Sequence, residues 1–286
     1  MIKCVQMSRL LIRLLPKEDF QYDLDYHYHV QGLIYSLARK AGRIDIHDKS
    51  GYKFFCFSNI FPYRPKLERG EEHFLLISSP DHELMRSLRE AMENETKTNS
   101  AVRIGSNMEF LVSGIEGPFS LKIPIHSPAS VLSATPIIMR IPKWRYADYG
   151  IVSSRPFENW KETLAFEAFV KQLYDNFEKK WKNFTAERKK DVSLENQRGD
   201  LLQNIRFPEV ISYKYLKTVS KPITIRGERQ QVVGSIWEIE FAVQDREEAE
   251  MLKFALDCGF GERNSLGFGF VNLSHRFAVQ SHQVEP

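Results

Sequence analysis

Cysteine is scarce in this chain. Cys4, Cys56 and Cys258 stand far apart, an odd set without a Cys-x-x-Cys pair. That pattern argues against a disulfide framework or a zinc knuckle, and the three read as reduced thiols. Long apolar runs are lacking as well. Leu10 to Leu15 and Val131 to Ile141 fall short of the ~20 residues a membrane-spanning helix needs, and both carry charged or polar residues. The opening Met1-Ile-Lys-Cys-Val-Gln has neither the apolar core nor the cleavage site of a secretory signal, so a cytoplasmic location with no membrane partner is expected. There is no Gly/Ser tract, no proline-rich tract and no strong excess of either charge. At 42% hydrophobic, 27% charged and net +3, the 286 residues describe an ordinary globular chain long enough for about two domains. The small positive balance permits a nucleic-acid partner without requiring one.

What is present is an order of elements. Arg9 to Leu15 is apolar and stops at Pro16, as a short buried strand does. Val30, Leu33, Ile34, Leu37, Ala38 and Ala41 recur at helical spacing up to Gly42. Lys53 to Phe61 and His73 to Ile77 read as strands, Asp81 to Glu93 as a helix, and Ala101 to Ile104 with Met108 to Ile115 as extended segments. This is the βαββαβ order of a ferredoxin-like unit. After Gly117-Pro118 the order repeats: Val131 to Ile141 (strand), Phe157 to Trp181 (helix), Glu209 to Val219 and Val232 to Val243 (strand pair), Arg246 to Cys258 (helix) and Phe268 to Leu273 (strand). The expected fold is α+β, with two tandem ferredoxin-like domains at 7–118 and 130–275 joined by a linker at 119–129.

Between the last helix and the last strand lies Gly259-Phe-Gly-Glu-Arg-Asn-Ser-Leu-Gly-Phe-Gly269. Glycine admits positive φ and the close approach of another backbone, a phosphodiester included. Arg263, Asn264 and Ser265 add a cation and two hydrogen-bonding side chains suited to phosphate or 2′-hydroxyl groups. A helix cap followed by a tight turn is the plain alternative. The dinucleotide fingerprint does not apply, because it needs a strand before the glycines and a helix after them. His27-Tyr-His29 invites a metal reading, but i and i+2 on a helix point apart and no further ligands complete a site. No metal and no cofactor is expected.

The segment Gly-Phe-Gly-Glu-Arg-Asn-Ser-Leu-Gly-Phe-Gly-Phe-Val resembles the C-terminal signature of the RAMP superfamily, specifically the CRISPR-associated endoribonucleases of the sixth Cas family that cut repeat RNA. Arg9-Leu-Leu-Ile-Arg-Leu-Leu-Pro, His29-Val-Gln-Gly-Leu-Ile-Tyr35 and Lys53-Phe-Phe-Cys-Phe-Ser are similar to that family's first strand, first helix and second strand. The stretch Phe184 to Phe207 has no counterpart in the resemblance. The family implies a CRISPR precursor transcript as partner, with effector-complex subunits as a second class; the sequence leaves monomer and homodimer both open.

Tyr35 lies off the apolar face of its helix, His47 sits in a polar loop and Lys53 opens the next strand, so all three can line one edge of the first domain. Cutting RNA through its 2′-hydroxyl needs a base, an acid and positive charge near the phosphorane, which Tyr, His and Lys supply without metal. The resemblance implies the same three residues as catalytic. His47 suits the principal acid/base role, Tyr35 a place at the 2′-hydroxyl and Lys53 charge stabilisation, with Lys49 as a neighbouring substitute. The expected products are a 2′,3′-cyclic phosphate, or 3′-phosphate, and a 5′-hydroxyl.

Basic residues in the second half, Lys179, Lys180, Lys182, Arg188, Lys189 and Lys190 near the long helix and Lys214, Lys217, Lys221, Arg226 and Arg229 on the hairpin, offer phosphate contacts or simply a solvated face. Lys214, Lys217, Arg226 and Arg229 join Gly259, Gly261, Arg263, Asn264, Ser265, Gly267 and Gly269 as expected RNA-binding residues. Tyr213 and Tyr215 alternate with Lys214 as base-stacking residues or as ordinary strand alternation. A non-catalytic RAMP subunit that coats guide RNA is the rival reading.

Overall fold

The computed structural model describes residues 8–43, 46, 51–98, 100–105, 107–191, 206–225 and 227–274. The first unit runs β1 (Ser8–Pro16), β2 (Phe20–Gln21), α1 (Tyr26–Lys40), β3 (Cys56–Phe57), β4 (Lys66–Leu67), β5 (His73–Ser79), α2 (His82–Lys97), β6 (Ala101–Ile104) and β7 (Met108–Phe119). Its antiparallel sheet has the order β3-β5-β1-β7-β6, with the minor pair β2-β4 beside it. Alternation along β1 sends Leu10, Ile12 and Leu14 into the core, where Val30, Ile34, Leu37 and Ala38 of α1 and Leu84, Met85 and Leu88 of α2 meet them. Each such buried side chain contributes about 1.5–3 kcal/mol. Asp81 caps α2 by accepting from the amides of Glu83 (3.0 Å) and Leu84 (3.1 Å).

The second unit runs β8 (Ser127–Ser133), β9 (Arg140–Pro142), β10 (Phe157–Asn159), α3 (Phe166–Asp191), β11 (Glu209–Ile225), β12 (Glu228–Val243), α4 (Arg246–Cys258) and β13 (Val271–Leu273). Its sheet order is β11-β12-β8-β13. Numbered within its own βαββαβ set, each main sheet has strand order 2-3-1-4, the ferredoxin-like arrangement, with β6 added at the edge of the first. Trp237, Ile239 and Phe241 of β12 pack with Phe169, Leu173 and Phe177 of α3 in the second core.

Several boundaries differ from the sequence reading. The strand expected over 131–141 ends at Ser133: Pro136 lacks an amide hydrogen, and the chain leaves the sheet with the amides of Ala134 (2.9 Å) and Thr135 (3.1 Å) donating to the Phe270 carbonyl. The helix expected from Phe157 starts at Phe166, because 157–159 pairs with 140–142. Phe157 and Trp160 imitate the helical repeat without belonging to it. The strand pair is a far longer hairpin than expected, with its arms running to Ile225 and from Glu228. In the first unit the strand expected over 53–61 shrinks to Cys56–Phe57, since Phe54 takes a positive φ of 51° that breaks the extended run. No helix among the described residues is long and apolar enough to cross a membrane.

The two units are joined by buried polar contacts. Arg9, 1% exposed, donates to Asp257 Oδ1 (2.9 Å), Asn272 Oδ1 (2.6 Å) and the carbonyls of Leu256 (2.9 Å) and Val271 (3.1 Å). Asp25, at the start of α1, accepts from the Thr224 amide of β11 (3.0 Å).

Candidate active site

One side of α1 borders a cleft, and Tyr35, expected off the apolar face, also packs against the first core, because its ring reaches back to the buried Phe55. This cleft, of about 1300 Å³, is lined by Tyr28, Gln31 and Tyr35 of α1, Lys53, Arg103 of β6 and Gln230 near the hairpin tip. A second cavity, of about 450 Å³, is lined by Lys53, Arg140, Lys179, Arg263, Asn264 and Ser265 among others. Lys53 belongs to both walls.

Tyr35 packs edge-on against Phe55 with ring centres 5.8 Å apart, and its hydroxyl hydrogen-bonds Ser265. The Lys53 ammonium stands 5.9 Å from the centre of the Tyr35 ring and donates to the Ile46 carbonyl at 3.0 Å. Burial raises the Tyr35 pKa above its usual value, with the Ser265 hydrogen bond opposing that rise. The phenol therefore keeps its proton at neutral pH. Tyr35 and Lys53 thus share one edge. His47 and its substitute Lys49 lie outside the described residues, as does Arg226.

The glycine segment is seated between the two units. Gly259, Gly261, Gly267 and Gly269 are all buried and all have positive φ. A Cβ on Gly267 would strike the Phe57 ring, and one on Gly269 would strike the Phe260 carbonyl. Close packing against the protein itself therefore accounts for glycine at these positions. Asn264 is turned inward too. Its Nδ2 donates to the carbonyls of Phe260 (3.0 Å) and Phe268 (2.9 Å), tying the segment to itself. Arg263, half-buried, donates to Gln230 at 3.2 Å, while Ser265 accepts from Gln31 at 3.0 Å. Through Ser265 the segment reaches the Tyr35 edge from the far end of the chain.

Lys180, grouped above with surface charge, is 2% exposed. Its ammonium donates to the carbonyls of Gly259 (2.7 Å) and Gly261 (2.8 Å) and to Asn264 Oδ1 (2.7 Å), and burial lowers its pKa to about 8. The sequence held the signal: Leu173, Phe177, Lys180 and Phe184 follow helical spacing, which puts Lys180 on the buried face. His27 is likewise a brace. It stacks on Tyr26 (4.3 Å) and Phe268 (4.8 Å), its Nδ1 donates to the Leu266 carbonyl (2.8 Å) and its Nε2 accepts from Lys221 (3.2 Å). Burial, then the nearby Lys221 charge, lower its pKa to about 3, so it is neutral. Sequence reasoning missed Arg9 and His27 as braces, for nothing local to either residue names partners some 240 positions away.

Lys214 and Lys217 are exposed on β11 and line neither cavity, and Arg229 is exposed beside the hairpin turn. Tyr213 stacks on Phe166, and both Tyr213 and Tyr215 meet Trp237, so both rings join the packing around α3 and β12. Among the described residues, no cluster of three or more His, Cys, Asp or Glu is arranged to hold a metal ion.

Two tandem ferredoxin-like units are the fold of a class of solved proteins described as Cas6 or RAMP proteins. A solved structure described as a RAMP protein binding different RNA substrates superposes with a TM-score of 0.63 at 19% identity, covering 93% of this chain and 99% of that one. The product of a Cas6-related gene from Pyrococcus furiosus does so with a TM-score of 0.64 at 19% identity, covering 94% and 99%.

Within that class the chain belongs to the Cas6 family. The family model "CRISPR associated protein Cas6, C-terminal" matches residues 129–273. CRISPR-associated endoribonuclease Cas6 2 of Methanocaldococcus jannaschii is 33% identical over 267 residues, covering 92% of this chain and 98% of that protein. CRISPR-associated endoribonuclease Cas6 of Haloferax mediterranei is 26% identical over 283 residues, covering 97% of each.

Proposed function

We propose that this protein is an endoribonuclease that binds CRISPR repeat RNA within the precursor transcript and cuts it by attack of a 2′-hydroxyl on the adjacent phosphate. The observation that carries the proposal is the shared edge of Tyr35 and Lys53, with Ser265 of the glycine segment hydrogen-bonded to Tyr35, in a chain of the Cas6 family.

In this mechanism His47 accepts the 2′-hydroxyl proton as the new O2′–P bond forms and, now protonated, gives a proton to the departing 5′-oxygen as the P–O5′ bond breaks. The products are a 2′,3′-cyclic phosphate and a 5′-hydroxyl. Lys53 offsets charge on the phosphorane oxygens. Its pKa raised by burial, Tyr35 serves as a neutral hydrogen-bond donor that orients the reacting groups, and the base role falls to His47. Arg263 and Ser265 contact the RNA backbone at the mouth of the cavity, and the buried glycines hold these two side chains in place.

The test is cleavage of single-stranded repeat RNA in EDTA, beside the same RNA with a 2′-deoxy sugar immediately before the cut. Full activity on the first and none on the second are expected. Cleavage of the deoxy substrate, or loss of activity in EDTA, refutes the mechanism, and tight binding without any cleavage means a non-catalytic RNA-coating subunit.

A further inference from the structure

One large aromatic ring stands out in solvent with no part in either core. Trp144 is 70% exposed, whereas Trp160 and Trp237 are at most 5% exposed and Trp181 is half-buried. The indole has a cation beside it. The Arg145 guanidinium lies 4.5 Å from its ring centre, and Arg145 is itself 6% exposed and paired with Asp175 of α3. Arg145 Nε and Nη1 are buried and have no hydrogen-bond partner among the described residues. A buried cation with donors to spare, pressed against a ring, fixes that ring by cation–π attraction and leaves its other face open.

The surroundings indicate what the open face receives. Asp175, which anchors Arg145, lines the 450 Å³ cavity, whose walls also carry Lys179, Arg263, Arg140 paired with Glu262 and, on the reacting edge, Lys53. A phosphodiester strand that runs from Lys53 past these cations comes out beside the Arg145 anchor. The ring itself lies outside the cavity wall, one ion pair removed from it through Arg145 and Asp175. An exposed aromatic ring near a groove that carries phosphate-binding cations can take unpaired bases, since every base has a face to stack.

We propose that Trp144 is a stacking platform for an unpaired base of the bound RNA, outside the reacting edge, with Arg145 as the positioning residue beneath it. The proposal rests on the RNA-binding reading given above. Because Trp144 is the exposed one of the four tryptophans, intrinsic fluorescence can report on it. The probe is a pool of single-stranded RNA of randomised sequence, titrated in EDTA into the full chain. Trp144→Ala should weaken affinity about 5- to 150-fold. Trp144→Phe should recover most of the affinity but lose the RNA-dependent quenching of emission, and both variants should melt with the wild type. RNA binding of equal strength to wild type and Trp144→Ala, or binding that leaves emission and acrylamide accessibility unchanged, overturns the platform alone. A wild-type chain that binds no RNA overturns the platform and the RNA reading together.

Discussion

Replacing Lys180 with methionine keeps most of the side-chain volume and removes one buried charge, so two opposing costs can be weighed. The fall in the Lys180 pKa from 10.5 to about 8 means that keeping the ammonium charged costs about 3 kcal/mol, which methionine relieves. Against that, the carbonyls of Gly259 and Gly261 and the Asn264 amide oxygen lose their donor. A buried acceptor left unmet costs about 1–3 kcal/mol, so three cost about 3–9 kcal/mol. The expected net loss near pH 7 is about 3 kcal/mol, and it should be read at the glycine segment first. The pH dependence has a definite sign. Below about 8 the lysine is charged in both states and the penalty is full. Between about 8 and 10.5 the folded chain releases the proton while the unfolded chain holds it, so the wild type gains up to about 3 kcal/mol over the variant as pH rises. Urea unfolding of both proteins across this range measures the difference directly. Equal stability near neutral pH, or a difference that does not change with pH, refutes this account of Lys180.

The other predictions concern the reacting edge and the joint between the units. Tyr35→Phe should slow single-turnover cleavage about 10- to 100-fold, the cost of one charge-assisted hydrogen bond, while leaving the shape of the pH–rate profile unchanged. A lost or shifted limb in that profile would instead make Tyr35 the titrating base. Arg9→Leu leaves Asp257 buried without its cation and should cost about 3–5 kcal/mol in denaturant unfolding. The double variant Arg9→Leu with Asp257→Leu should recover part of that loss. A single-variant loss under about 1 kcal/mol argues against the pair as a joint between the units.

The tandem fold was legible because it is written in local patterns. Alternation in β1, helical spacing in α1 and α2 and the long apolar stripe of β12 each mark an element, and their order repeats. Element edges were less legible wherever a strand residue falls on a helical interval, as Phe157 and Trp160 do ahead of α3. The site was readable in part. Tyr35 and Lys53 were named from helix phase and chain position together with the family resemblance, and in the structure the Lys53 ammonium stands near the Tyr35 ring. The glycine segment was noticed for its freedom of backbone, but the need for glycine comes from protein atoms such as the Phe57 ring, 210 positions away in the chain. Long-range partners of that kind leave no trace in local spacing. For the same reason Lys180 passed as surface charge, although its place on the Phe177 and Phe184 stripe pointed inward.

The four acceptors that satisfy Arg9 are 247 to 263 residues further along the chain. At a synthesis rate of about 5–20 residues per second, they leave the ribosome roughly 12 to 50 seconds after Arg9 does. During that interval the first domain can close its own core, but the face that will meet the second domain carries a cation with its acceptors still unmade. The joint between the domains therefore waits on residues 256–272, which lie on either side of the glycine segment and include it. A nascent chain can form its first domain well before Ser265 is present to meet Tyr35.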